Sequence, residues 1–186
     1  MHQLLIFGPP GVGKGTQAQL ISEKLNLFHL STGEVLRASA EKGTELGLKA
    51  KELMDRGELV PDEIMIGIVG ETLLNGSKTT SNGFILDGFP RTVDQAKALN
   101  DIFRELNYAN FKVIYLDANE DELLRRLLKR GRSDDNEQSI RKRFKLYKEL
   151  TSPVLEFYDN ISDIIKIDGL GEINEISKNI LLKLEV

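Results

Sequence analysis

The chain has 186 residues, of which 40% are hydrophobic and 29% charged, and its formal net charge is −4. These values are ordinary for one globular domain, and the acidic balance argues against a general nucleic-acid-binding protein. The chain contains no cysteine, which excludes disulfides, cysteine zinc ligands and cysteine nucleophiles.

Short apolar runs alternate with longer amphipathic ones, a pattern typical of βαβ units around a parallel sheet. The first run, LLIF at 4–7, is too short for a signal peptide or a membrane span and follows no basic cluster, so we expect a cytoplasmic protein. Strands are predicted at 3–8, 27–30, 83–87, 112–117 and 164–168. Helices are predicted at 14–25, 33–42, 45–55, 62–74, 92–106, 120–130, 135–158 and 172–184. Pro153 predicts a break or kink near Thr151.

The stretch GPPGVGKGTQ follows the first predicted strand and reads G-x-x-x-x-G-K from Gly8 to Lys14. The backbone N–H groups of such a turn hold phosphates at a helix N-terminus, and the lysine neutralises them. A tight turn without a ligand is the alternative, but the position between strand and helix favours a nucleotide. The Ser or Thr that usually follows the lysine is replaced by Gly15, with Thr16 one residue later.

Two stretches do not fit a simple βαβ alternation. Residues 31–82 are too many for one crossover helix, and KRGRSDDNE at 129–137 is a charged break between two predicted helices. Both begin where parallel strands end, which is the side on which such sheets bind ligands. We therefore predict that both act as mobile covers of a ligand site.

Two further stretches carry polar residues suited to phosphate chemistry. In FILDGFPRTVDQA (84–96), Asp87 ends an apolar strand, the usual position of an acid that holds magnesium or its waters. A strand-ending turn, with Gln95 as a solvated helix residue, is the alternative. RRLLKRGRSDDNEQSIRKR (125–143) is dense in arginine. A solvated helix face would explain it, but phosphoryl transfer needs such cations around the transferred group.

Together with STGEVLR (31–37), GELVPDEI (57–64) and KIDGLGEI (166–173), these motifs resemble the adenylate kinase family. The resemblance implies one P-loop α/β domain over 1–186, a three-layer sandwich whose five-stranded parallel sheet has the order 2-3-1-4-5. It implies a helical AMP-binding segment at 31–60 and a short lid at 129–136. It also implies a monomeric enzyme that reversibly transfers a phosphoryl group from Mg-ATP to AMP, giving two ADP, with no nucleic-acid or membrane partner. In that family Lys-Gly-Thr replaces Lys-Ser/Thr, since phosphates and water supply most magnesium ligands.

The resemblance also assigns residues. The catalytic cations are Lys14, Arg91, Arg130, Arg132 and Arg143. ATP is bound by Gly11, Val12, Gly13, Lys14, Gly15, Thr16, Arg126, Arg130 and Gly171. AMP is bound by Thr32, Arg37, Glu58, Leu59, Val60, Gly88, Phe89, Pro90, Arg91, Gln95, Arg132 and Arg143. Asp87 contacts magnesium through water, no zinc is expected, and Asp134 and Asp135 anchor the arginines.

The lid departs from the family pattern, because only Gly131 separates Arg130 from Arg132. The sequence therefore leaves open which of these arginines meets which phosphate. We interpret His2 and His29 as structural.

The sequence is compatible with two alternatives to an adenylate kinase. A UMP/CMP kinase shares the phosphate loop, the DGFPR motif and the short lid. Its pyrimidine-specific members tend to carry Ala in place of Thr32 and Asn in place of Gln95, which favours AMP here. A P-loop switch protein is an alternative from another class, but the chain lacks the guanine-reading N-K-x-D motif.

Overall fold

A central parallel sheet organises the chain. The computed structural model describes residues 2–76, 82–108 and 110–186. Its strands are β1 (His2–Phe7), β2 (Phe28–Ser31), β3 (Gly83–Asp87), β4 (Phe111–Asp117) and β5 (Asp163–Asp168). All neighbouring strands pair in parallel, and the order β2-β3-β1-β4-β5 confirms the predicted five-stranded sheet.

Helices connect and cover these strands. They are α1 (Lys14–Leu25), α2 (Thr32–Glu41), α3 (Glu45–Asp55), α4 (Asp62–Gly76), α5 (Val93–Glu105), α6 (Glu120–Arg130), α7 (Glu137–Leu146), α8 (Ser152–Asp159) and α9 (Ile173–Leu184). Predicted and observed bounds of helices and strands differ by two residues at most, except that the helix predicted at 135–158 is divided into α7 and α8. The predicted break near Thr151 is instead a π-helical turn, Tyr147–Thr151, which joins α7 to α8. Such a wider turn keeps the chain helical where Pro153 disturbs the normal hydrogen-bond ladder.

The sheet buries apolar side chains on both of its faces. Along β1, Leu4 and Ile6 enter one hydrophobic core, while Leu5 and Phe7 enter the other. One core contains residues of α4, α5 and α8, and the other contains residues of α1, α6 and α9. A sheet covered on both faces requires uninterrupted apolar strands, which explains the LLIF run. These layers confirm the three-layer α/β fold.

The strand register brings the site-bearing loops together. Ile6 of β1 pairs with Asp87 of β3, so the glycine-rich loop after β1 lies beside the loop after β3. The chain crosses from one side of β1 to the other at this edge, where open α/β sheets bind ligands. Within the described ranges, no helix combines the length and apolarity needed to cross a membrane.

Candidate active site

The phosphate loop lies between β1 and α1. Gly11 and Gly13 have φ values of 86° and 98°, a left-handed conformation that side chains disfavour. Lys14 Nζ donates hydrogen bonds to the carbonyl oxygens of Gly8 (2.8 Å) and Pro9 (3.0 Å), so its ammonium lies over the loop. Burial lowers the pKa of Lys14 to about 8, against the opposing effect of Asp87. An anion in this loop would therefore stabilise the charged lysine.

Asp87 lies at the end of β3, beside the start of α1. Its side chain is buried, and its Oδ2 accepts a 3.5 Å hydrogen bond from Ser31 Oγ. A β-carbon added at Gly15 would lie 3.2 Å from this Oδ2, so the glycine keeps the space between carboxylate and phosphate loop clear. One carboxylate next to a phosphate site suits magnesium, which keeps several waters and takes further ligands from phosphates. In the described part of the chain, no cluster of three or more carboxylates and histidines offers an all-protein metal site.

Arg91 is held by its backbone on both sides. Its N–H donates to Gln95 Oε1 at 2.7 Å, and its carbonyl accepts from Thr151 Oγ1 in the π-helical turn at 3.0 Å. Its Nε donates to the Gly88 carbonyl at 2.8 Å. Burial and the nearby charge of Arg143 lower the pKa of Arg91. The guanidinium is thus held in place, and an anion bound beside it would stabilise its charged form.

Asp135 anchors the short loop between α6 and α7. It accepts a bidentate pair of hydrogen bonds from Arg130, at 2.7 and 2.6 Å, and one from Arg143 at 3.2 Å. Asp134 accepts from Arg143 at 2.8 Å. Burial of Asp135 by itself raises its pKa, but hydrogen bonds from Arg130 and from the Arg132 N–H bring the pKa below its ordinary value. The predicted anchoring carboxylates therefore hold two of the predicted catalytic arginines.

Other cations of the site have no such partner. Arg37, Arg91 and Arg132 form no ion pair with any carboxylate that the structure describes. Burial, followed by the charges of Arg130 and Arg37, lowers the pKa of Arg132. These guanidinium groups lack a carboxylate partner and repel one another. An anion with several charged oxygens, such as a phosphate, would stabilise all three.

The expected AMP-binding segment touches the expected lid and helix α7. Asp55 accepts hydrogen bonds from Ser133 Oγ at Oδ1 (2.8 Å) and from Ser139 Oγ at its carbonyl (2.7 Å). Lys142 donates to Glu58 at 2.7 Å. A β-carbon at Gly57 would lie 2.6 Å from the Ser139 carbonyl, so this approach depends on glycine. Residues on either side of the site are therefore joined directly.

The phosphate loop, Asp87, Arg91 and the three arginines Arg130, Arg132 and Arg143 border one cavity of about 560 Å³. A model of the family described as adenylate kinase matches residues 6–163. The chain belongs to the adenylate kinase family.

Curated relatives support the same assignment over nearly the whole chain. An adenylate kinase of Leptospira biflexa is 48% identical over 185 residues, 97% of this chain and 98% of the relative. One of Corynebacterium urealyticum is 44% identical over 183 residues, 98% and 99% of the two chains. One of Prochlorococcus marinus is 45% identical over 181 residues, 97% of each. The predictions of the family and of a phosphotransferase enzyme are confirmed.

Most of the residues expected from the family resemblance border the cavity. They are Gly11, Gly13, Lys14, Gly15, Thr16, Arg126 and Arg130 from the expected ATP set, and Arg37, Glu58, Leu59, Gly88, Phe89, Pro90, Arg91, Arg132 and Arg143 from the expected AMP set, together with Asp87. Phosphate-loop, strand-end and lid residues meet, although the phosphate loop and the lid are more than a hundred residues apart in sequence. His2 and His29 lie in β1 and β2 and do not line the cavity.

Five expected residues lie outside the cavity lining: Val12, Thr32, Val60, Gln95 and Gly171. Val12 packs into a hydrophobic core, and Val60 is buried in the other one. Thr32 is 2% exposed, and its Oγ1 donates to the Asp87 carbonyl at 3.3 Å. Gln95 is also 2% exposed and uses its amide within the protein. These four side chains are buried, whereas Gly171 follows β5 and is exposed.

Sequence reasoning missed several lining residues: Ser31, Gly33, Glu34, Met54, Gly57, Leu146, Tyr147 and Thr151. Ser31, Gly33 and Glu34 belong to the motif STGEVLR (31–37), in which the resemblance assigned only Thr32 and Arg37 to AMP binding. Tyr147 and Thr151 carry no motif of their own. They border the cavity because the π-helical turn brings this part of the helix against Arg91.

Proposed function

We propose that this chain reversibly transfers the γ-phosphoryl group of Mg-ATP to AMP, giving two ADP. The observation that carries the proposal is one cavity in which the phosphate-loop lysine, Lys14, meets Arg91, Arg130, Arg132 and Arg143. Phosphoryl transfer leaves little covalent chemistry to the protein and depends on positive charge around the three equatorial oxygens of the moving group.

The ATP side of the site is formed by the phosphate loop and α6. Gly11, Gly13 and Gly15 allow backbone N–H groups to approach the phosphates, at the N-terminal end of α1. Arg126 is held by Glu122 at 3.0 Å and donates to the Gly169 carbonyl at 3.1 Å. It thereby joins α6 to the loop that leads to Gly171, and we assign the adenine of ATP to the space beside this arginine.

The AMP side is assigned to the segment 31–60 and the loop after β3. Arg37 and Arg91 have no carboxylate partner among the described residues, so both are available to the phosphate of AMP. Leu59 and Phe89 supply apolar surface at the same cavity. Arginines without a carboxylate partner on one side, and the lysine-bearing loop on the other, would align two phosphates for in-line attack.

No general base is required, because the attacking phosphate oxygen is already anionic. Lys14 lies at the loop that would hold the β- and γ-phosphates, and its ammonium would stabilise charge on the moving group. Arg130 and Arg143, fixed by Asp135, would neutralise the equatorial oxygens. The lid and the segment 31–60 would exclude water, which otherwise accepts the phosphoryl group.

Magnesium bound with ATP would neutralise charge on the phosphates. Asp87 is the residue that would hold its waters, since its carboxylate faces the space kept open by Gly15. No zinc is expected in this minimal lid. These assignments stay predictions until metal is measured.

The choice of base is proposed to rest on Gln95 and Thr32. A primary amide offers a donor and an acceptor, which complement N1 and the N6 amino group of adenine. Loss of one such pairing costs about 1–3 kcal/mol, or roughly ten- to a hundredfold in selectivity. We expect Gln95→Ala to raise the AMP requirement and Thr32→Ala to relax selectivity towards UMP and CMP.

An acceptor screen tests the proposal. ATP turnover is measured with AMP, UMP, CMP or GMP at equal concentrations and without any monophosphate. We expect turnover only with an acceptor and fastest with AMP. Preference for UMP or CMP would instead indicate a pyrimidine nucleotide kinase. ATP hydrolysis that does not depend on an acceptor would indicate a P-loop switch.

A monomeric state, a cytoplasmic location, and the bounds 31–60 and 129–136 of the two covers stay predictions from the sequence.

A further inference from the structure

The amide of Gln95 can adopt one orientation only. Its Oε1 accepts the Arg91 N–H at 2.7 Å, and its Nε2 donates to Asp62 Oδ1, also at 2.7 Å. A backbone N–H only donates and an ionised carboxylate only accepts. Turning the amide over would therefore place donor against donor and acceptor against acceptor, in a side chain that is 2% exposed.

Asp62 ties this amide to the chain that leads out of the expected AMP-binding segment. It is the first residue of α4, and only Pro61 separates it from the segment 31–60. Its second oxygen, Oδ2, accepts from Thr92 Oγ1 at 2.7 Å, and the same hydroxyl caps α5 by accepting from the Gln95 N–H at 3.1 Å. Both oxygens of one carboxylate thus hold the first turn of α5, through charge-assisted bonds that are stronger than neutral ones.

After these bonds, Gln95 retains one amide hydrogen and one carbonyl lone pair. Such a pair complements adenine, whose N1 accepts and whose 6-amino group donates. Hypoxanthine presents the reverse pattern, a 6-oxo acceptor and an N1–H donor, on the same ribose phosphate. The two bases therefore report which way the amide points.

We propose that Asp62 is a positioning residue for base selection, which holds the Gln95 amide in the orientation that accepts adenine and rejects hypoxanthine. The inference rests on the proposed function, in which Gln95 reads the base of AMP. Asp62 acts through Gln95 and does not itself meet the base. Arg91 lines the cavity, so the network Asp62–Gln95–Arg91 ends at the site of phosphoryl transfer.

The test compares kcat/KM for AMP with kcat/KM for inosine monophosphate in Asp62→Ala, Asp62→Asn and the unchanged protein. We expect Asp62→Ala to lower the AMP preference about tenfold, mainly through KM for AMP, because one fixed hydrogen bond is lost. Asp62→Asn keeps an oxygen that can accept from Gln95 Nε2 and is expected to retain the preference within about threefold. Asp94→Ala removes an exposed carboxylate from the first turn of α5 and should leave the ratio of the two kcat/KM values unchanged.

The ratio between the two acceptors cancels effects on the shared phosphate, and thermal melts identify variants that fail to fold. In a Gln95→Ala background, Asp62→Ala should have no further effect on the ratio. An unchanged ratio in Asp62→Ala, with a reduced ratio in Gln95→Ala, overturns the role of Asp62 alone. An unchanged ratio in Gln95→Ala overturns the base-reading role of Gln95 and this inference with it. An equal loss in Asp62→Asn and Asp62→Ala assigns the effect to charge and also overturns the inference.

Discussion

Gly15 and Asp87 face each other so closely that a β-carbon on Gly15 would lie 3.2 Å from Asp87 Oδ2. The glycine belongs to the first turn of α1, and the carboxylate ends β3. In other phosphate loops a hydroxyl residue at this position ligates magnesium. Here this position is Gly15, which has no side chain, and the Asp87 carboxylate at the end of β3 faces the space that a side chain would occupy.

Gly15→Ala should therefore separate activity from stability. Alanine favours a helix over glycine by about 1 kcal/mol, so the melting temperature should stay equal or rise. The added methyl group crowds the space beside Asp87, and we expect turnover to fall about tenfold or more. Gly67→Ala in α4 is the matched control, since its β-carbon meets nothing within 4 Å. It should stabilise the protein without affecting turnover, and full activity in Gly15→Ala would contradict the proposed use of this space.

Asp87→Asn should raise the magnesium concentration needed for half-maximal turnover. The amide has one oxygen fewer to hold metal-bound water and carries no charge. Activity is measured over a magnesium titration at saturating nucleotide, beside a thermal melt. A folded variant whose magnesium requirement is unchanged would remove Asp87 from the metal site.

The lowered pKa of Lys14 predicts that ATP binding is coupled to proton uptake. Burial lowers its pKa to about 8 in the free protein, and bound phosphates should raise it again. Binding at pH 8–9 should therefore take up a fraction of a proton, and ATP affinity should fall as the pH rises through this range. Calorimetry at pH 8.5, in buffers that differ in ionisation enthalpy, measures the uptake. In Lys14→Met the uptake should vanish.

The lowered pKa of Lys14 also affects folding stability. An ion pair would raise the pKa of a lysine and stabilise the folded state, whereas here the charged lysine destabilises it. The folded-state pKa lies below the unfolded value of 10.5, so charging Lys14 disfavours the folded state. The penalty is fully present below about pH 8 and disappears as the pH rises towards 10.5. Lys14→Met should thus fold at least as stably at pH 7 while losing most of its turnover. Near-normal turnover in this folded variant would exclude Lys14 from the mechanism.

Asp135→Asn should reduce both stability and turnover. The variant weakens a bidentate pair with Arg130 and a bond from Arg143, around a carboxylate whose side chain is 0% exposed. We expect a loss of about 2–3 kcal/mol in the free energy of unfolding at pH 7. Because the pKa of Asp135 is lowered in the folded state, this loss should shrink as acid protonates the carboxylate.

Asp101→Asn provides the control for an exposed pair, with Arg104 as its partner. It should change stability by about 0.5 kcal/mol or less and leave turnover unaffected. Denaturant unfolding and a coupled ADP assay measure both quantities. Equal effects of the two substitutions would show that Asp135 does not organise the arginines.

Local patterns in the sequence predicted the fold and most of the residues that border the candidate site. Apolar runs identify strands buried on both faces, and glycines around Lys14 identify a turn that exposes backbone N–H groups to phosphate. These features are local, since each depends on residues within one strand, turn or helix. The long helix around Pro153 marks the limit: the sequence predicted a disturbance near Thr151 but not its π-helical form.

The pairing of side chains far apart in sequence could be read from the three-dimensional structure alone. Asp62 meets Gln95, Thr151 meets the Arg91 carbonyl, and Ser133 meets Asp55, at separations of 33, 60 and 78 residues. No periodicity or motif encodes such a pair, because its geometry follows from how α4 packs on α5 and how α7 approaches the end of α3. The residue types of the site are thus readable from the sequence, whereas the direction in which the Gln95 amide points depends on packing.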